Sequence, residues 1–228
     1  MMMILAAAPA APSVFDGVAN TVALLVLLLE FGMLRASLLR TQVRLYAAQS
    51  LAVSALAAVV AFGHHVPELY LLAALSLALK VVVVPALVLR LLREADAEIA
   101  DSGALGVASE VLISMVVAAF GFFAVGPLDV HSEALPATAL SLSVAVVLVA
   151  FILMVLRRDV VSQAIGFFSL ENGVSLASLV VAAGMPLILE VAFLFDLLVA
   201  VVVFGVLMRT HQRRSRSLST VNLDRLRG

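Results

Sequence analysis

Three acidic residues lie inside one apolar hairpin of this chain. The run QAIGFFSLENGVSLASLVVAAGMPLILEVAFLFD, from Gln163 to Asp196, reads as two membrane-spanning helices joined by a tight turn at Gly184, Met185 and Pro186. Its first helix carries Glu171 beside Asn172, and its second carries Glu190 and Asp196. Elsewhere Lys80 sits in the middle of LLAALSLALKVVVVPALVL, and Glu30 and Glu110 lie inside other apolar runs. A charge at the centre of a membrane helix costs about 2.5–3.5 kcal/mol on insertion scales, so each needs a reason. The default reading is an ion or proton path; the alternative is a paired polar contact between helices.

Positioning such groups requires a bundle of spans. A bilayer core about 30 Å thick takes about 20 apolar residues per helix, and the sequence places seven, at about 17–36, 44–62, 69–91, 104–125, 137–156, 161–183 and 186–208. Residues 1–16 form a short apolar segment without the positive n-region of a cleaved signal peptide, and Pro9 and Pro12 argue against a continuous helix there. Residues 17–208 are the transmembrane domain, and 209–228 are a basic tail. Every Lys and Arg except Lys80 falls after the first span, at the end of the third, at the end of the fifth, or in the tail. With seven spans these places share one side, and the positive-inside rule puts the N-terminus outside and the C-terminus in the cytoplasm. The regions assigned to the outer side, 1–16, 63–68, 126–136 and 184–186, contain no Lys or Arg.

At about 1.5 Å per residue, Lys80, Glu171 and Asp196 lie near the midplane, Glu190 in the outer third, and Glu110, Glu30, Gln49 and Gln163 in the cytoplasmic half. Acids, a lysine and intervening water in such a graded set are the parts of a proton relay. Lys80 is too deep for easy snorkelling and needs an acid partner, and Pro85 is placed to kink its helix and free carbonyls nearby. Other groups have plainer readings. Gln49 and Gln163 read as helix–helix hydrogen bonds. Glu30 is near enough to the interface to reach water or Arg35. Ser141 and Ser143 read as packing, as do Gly173, Ser175, Ala177, Ser178, Ala182 and Ala183, whose small size allows close helix approach. His64 and His65 sit in an outer turn. The stretches 38–63 and 155–184 look loosely alike, without enough identity to make them a repeat.

Composition sets the class. Hydrophobic residues make up 64% of the chain, against about 45–50% in an ordinary soluble domain. Mean hydropathy is +1.20. The runs are continuous rather than alternating, which excludes a β-barrel. The expected fold is therefore an all-α integral membrane protein of about seven helices with almost no extramembrane domain. With no cysteine, the chain cannot build a disulfide, a thiolate zinc site or an iron–sulfur cluster. None of the four histidines lies inside a long apolar run, which argues against a bis-histidine haem at membrane depth. No cofactor is expected in this chain.

The segments IGFFSLENGVSL (165–176), PLILEVAFLFDLLVAVVVFG (186–205), AALSLALKVVVVPALVLRLLR (73–93) and the C-terminal LSTVNLDRLRG resemble component E, the small membrane subunit of hydrogenase-4 and formate-hydrogenlyase-type complexes. That subunit is similar to the K subunit of respiratory complex I and the C subunit of multi-subunit sodium/proton antiporters. The resemblance covers about residues 40–228. It implies a non-redox subunit of a membrane arm, packed beside large antiporter-like subunits, in a prokaryotic cell membrane. K-type subunits carry two intramembrane glutamates on the axis that couples redox chemistry to ion movement. Glu190, in LEVA, matches the second. The first comes soon after Ile-Gly in the K-type pattern, where this chain has Phe168; Glu171 follows one helical turn later on roughly the same face. Lys80 and the first three spans have no counterpart in a three-helix K subunit. The competing classes are a stand-alone secondary transporter, against which the loops are short and no broken-helix substrate site is evident, and a structural scaffold whose charges only pair with neighbours.

Overall fold

A computed structural model describes residues 14–64, 67–95, 99–100, 105–128, 135–181, 198–199 and 201–206. Helices account for nearly all of them: α1 (Val14–Arg35), α2 (Leu39–His64), α3 (Pro67–Ser76), a π-helix (Leu77–Val83), α4 (Val84–Ala95), α5 (Val107–Val125), α6 (Ala137–Leu156) and α7 (Val160–Val181). Six stretches among the described residues are long and apolar enough to cross a membrane: Asp16–Arg35, Leu39–Gly63, Leu69–Arg93, Ala108–Val125, Ala137–Leu156 and Val160–Val181. The protein is thus an all-helical, multi-pass membrane protein. The turn at 184–186 and most of the expected seventh span lie outside the described residues, although 201–206 are helical.

Two antiparallel hairpins form the centre. α1 pairs with α2, α6 pairs with α7, and the hairpins stack with α1 on α6 and α2 on α7. The α6–α7 contact is the most extensive, and the sequence explains why. Gly166 and Gly173, seven residues apart, face α6 so closely that a Cβ on Gly166 would lie 2.7 Å from Met154 Cγ, and one on Gly173 2.8 Å from Val147 Cγ2. Only glycine permits that approach. Around this centre, α5 packs on α6 and α1, while α3, the π-helix and α4 form one span along α2. Phe204 of the 201–206 segment packs tilted against Phe167 and edge-on against Phe168 of α7, with ring centroids 6.2 and 6.1 Å apart.

The sharp hairpin turns are tied together at one end. Arg157, at the end of α6, is buried and donates to the Leu34 carbonyl near the end of α1. Such a contact answers one of the carbonyls that a helix terminus leaves unbonded, and the cation suits the negative end of the helix dipole. Asp159 caps the start of α7, accepting the Ser162 N–H at 2.7 Å. The Gln163 side-chain amide donates to the Arg157 carbonyl at 2.9 Å. This corrects the reading of Gln163 as a bond between spans: it closes its own turn. At the same end, Ala100 N–H donates to Ser37 carbonyl at 2.8 Å, so part of the 94–103 loop docks on the α1–α2 turn.

Lys80 lies inside the π-helix, just ahead of Pro85. Proline has no N–H to donate and its ring crowds the preceding turn, so a regular ladder fails there. The chain resolves the conflict by widening one turn, and Val84 N–H reaches back five residues to the Leu79 carbonyl. The expected disturbance from Pro85 is present as a π segment.

Candidate functional site

α2 and α7 start from neighbouring turns and run side by side in the same direction. Their shared interface is polar along most of its length. Nearest the turns, Ser162 donates to Gln42 Oε1 at 2.8 Å, and Gln42 Nε2 donates to the Ala36 carbonyl at 2.9 Å. The Tyr46 and Phe168 rings follow, both buried, with centroids 5.8 Å apart. Beyond them Gln49 forms a junction of three helices. Its Nε2 donates to Glu30 Oε2 at 2.9 Å and to the Val26 carbonyl at 3.2 Å, both on α1. Its Oε1 accepts from Ser169 at 2.8 Å and from Asn172 Nδ2 at 3.0 Å, both on α7. Asn172 also donates to Ser50 at 2.8 Å, and the Ser169 hydroxyl contacts Glu30 Oε2 as well. Glu30, Gln49, Ser50, Ser169 and Asn172 are all fully enclosed.

Beside this junction lies the ionic pair. Lys80 Nζ donates to Ser175 Oγ at 3.1 Å and stands 4.0 Å from Glu171 Oε2. Lys80 is 1% exposed and Glu171 is 4% exposed. The widened π turn carries the ammonium across to α7. The Tyr46 hydroxyl faces Ser50 and Glu171 but makes no well-formed hydrogen bond among the described residues. At the far end, Ser54 of α2 bonds Ser76 of α3 at 3.0 Å.

The structure therefore joins Lys80 to Glu171, and links Glu30 through Gln49 to Asn172, the residue beside Glu171. Gln49 does bridge spans, as read from the sequence. Glu30 is sealed from solvent and bonded to Gln49 and Ser169, whereas Arg35 is exposed, so the interface reading of Glu30 gives way to a buried one. Glu110 is apart from this group. It is 2% exposed in the first turn of α5, and its Oε1 has no hydrogen-bond partner among the described residues. Glu190 and Asp196 lie outside the described residues. Phe168, at the place where the K-type pattern has its acid, is a packing residue between Tyr46 and Phe204.

The serines were the missed signal. Ser175 reads as a small packing residue, yet it holds the Lys80 ammonium. Ser162 and Ser169 on α7, and Gln42 and Gln49 on α2, are each seven residues apart, and this matched spacing marks the two facing stripes. Among the described residues Ser141 and Ser143, by contrast, bond carbonyls of their own helix. Chemically, the interface offers carboxyl, ammonium, hydroxyl and amide groups inside hydrocarbon. Among the described residues there is no cluster of side chains suited to a metal ion.

No family model matches the chain, and no solved structure matches it with significance. Hydrogenase-4 component E of Escherichia coli K12 is 24% identical over 211 residues, which span 92% of this chain and 98% of that protein. The component E of Shigella flexneri gives the same figures. Protein Rv0085 of Mycobacterium tuberculosis is 33% identical over 190 residues, spanning 83% of this chain and 85% of that protein. On that identity and coverage, this chain belongs to the family of Rv0085, with component E of hydrogenase-4 as a more distant relative.

Proposed function

We infer that this chain is a non-redox membrane subunit of a hydrogenase-4-like, complex I-related assembly in a prokaryotic cell membrane, where its buried charges contribute to a proton path. The observation that carries the reading is the Lys80–Glu171 pair, 4.0 Å apart and buried between spans. The distant relation to component E, over nearly the whole chain, supplies the setting. Glu171, Lys80 and Asp196 form the centre of the path, Glu30 continues it toward the cytoplasm, and Glu190 continues it outward. Glu110 serves a separate inner branch. Large antiporter-like subunits pack against the exposed apolar faces. The N-terminus is outside and the C-terminus cytoplasmic, so a cytoplasmic reporter fused after Gly228 is active, and a silent one overturns the orientation.

The physics is a balance. Burial favours a neutral carboxyl, and an adjacent ammonium favours the anion. A group held between opposing effects changes its proton when a neighbour moves, and an amide of the same shape cannot. Glu171→Gln should therefore assemble and lose coupled proton movement. The measurement is proton translocation alongside hydrogen or electron-transfer rate in the assembled complex. Translocation at the wild-type ratio would reduce the pair to a structural contact.

A further inference from the structure

The hydrogens around Ser169 can be assigned from the heavy atoms alone. Val26 offers Gln49 a backbone carbonyl, which only accepts, so the Gln49 nitrogen must point to α1 and its oxygen to α7. That oxygen accepts from Asn172 Nδ2 and lies 2.8 Å from the Ser169 hydroxyl. Ser169 thus has one hydrogen and two acceptors in reach, Gln49 Oε1 and Glu30 Oε2. It can satisfy one at a time. If Glu30 is an anion, Ser169 donates to it, and Gln49 Oε1 keeps Asn172 alone. If Glu30 holds a proton on Oε2, the acid donates to Ser169, and Ser169 turns its hydrogen to Gln49.

We propose that Glu30 is a proton-holding site whose loading reverses the Ser169 hydroxyl, so that Glu30, Ser169 and Gln49 pass the state of the site to Asn172, beside Glu171. The inference deepens the proton-path reading and rests on it for its purpose. Loading adds one proton and no electrons: an O–H bond forms at Oε2, Ser169 keeps its own hydrogen, and no bond of Ser169 or Gln49 breaks. The other carboxyl oxygen is a poorer place for the proton. Oε1 is buried with no hydrogen-bond partner among the described residues, and a hydrogen there would be a buried donor without an acceptor. The ionisable residues on the elements packed around Glu30 are few. Within the membrane-depth part of the bundle, α2 brings Tyr46, α5 brings Glu110, and α7 brings Glu171 with Lys80 behind it; α6 brings none.

The test is infrared difference spectroscopy of the assembled complex after a pH step. One protonated-carboxyl band should vanish in Glu30→Gln. The same band should shift to higher frequency in Ser169→Ala, return in Ser169→Thr, and stay put in Ser162→Ala. A band assigned to Glu30 that Ser169→Ala leaves unmoved places the proton on Oε1 and overturns the proposal, as does the lack of any band sensitive to Glu30→Gln. If Glu30→Gln fails to assemble, the shift between wild type and Ser169→Ala carries the test. Because this readout is protonation itself, it stands even if Glu171→Gln translocates normally, which would sink only the path reading.

Discussion

The two faces of α7 are built on opposite terms. Toward α6 it presents Gly166 and Gly173, with Met154 and Val147 pressed against their backbones. Toward α2 it presents Ser162, Ser169 and Asn172, in hydrogen bonds. In a bilayer the first is the stronger adhesive. Lipid tails are as apolar as leucine, so helices associate through close packing, and an interhelical hydrogen bond contributes about 0.6 kcal/mol on average. The glycine face holds the bundle together. The polar face adds little affinity for its burial, and on the proposed reading its composition serves to hold and orient protons rather than to bind helices.

Substitutions can break that contrast. The largest effect is expected for Gly173→Leu. Inserting one surplus methylene in a packed interior costs about 1–3 kcal/mol, and here a whole side chain meets Val147 Cγ2 and, at 3.1 Å, the Val147 backbone nitrogen. The α6–α7 hairpin should come apart, read as loss of folded chain after detergent extraction; normal recovery would disprove the adhesive role of this face. Glu171→Ala comes next. Removing one member of a buried pair costs about 3–5 kcal/mol when the other charge is stranded, but Ser175 still holds Lys80, so a thermal-stability loss at or below the low end of that range is expected. A loss matched by Glu171→Gln would show that charge, not volume, matters there. Ser162→Ala is the smallest, about 0.6 kcal/mol, with Gln42 still bonded to the Ala36 carbonyl. A loss of several kcal/mol would mean that the polar face is adhesive after all.

The six described spans were legible because hydrocarbon leaves the chain little choice, and Lys80 announced that an acid must lie near it. Which acid was not legible: Glu171 is 91 positions along the chain, and nothing local links them. Gln49 was read correctly for the reason that a buried amide needs partners on other helices. Gln163 was misread for the same reason, since the turn at 157–159 put a carbonyl within reach of it. Serine hides its role, because it is equally at home as a small spacer and as a donor, and only the matched seven-residue spacing on two helices separates the cases. The π segment leaves no mark on the sequence beyond the proline that provokes it.

That π segment also sets the span's rotational phase. Leu69, Ala73, Ser76, Lys80, Val84, Val88 and Leu92 are all buried. They mark six successive turns, for which a regular helix uses about 21.6 residues at 3.6 per turn; the stripe from Leu69 to Leu92 takes 23. Part of that surplus falls on the widened turn at residues 77–83. The span therefore works like a screw with one coarser thread. A helical wheel drawn straight through it drifts out of phase, and removing a single residue from that thread would turn α4 and everything beyond it by about 100° relative to α3.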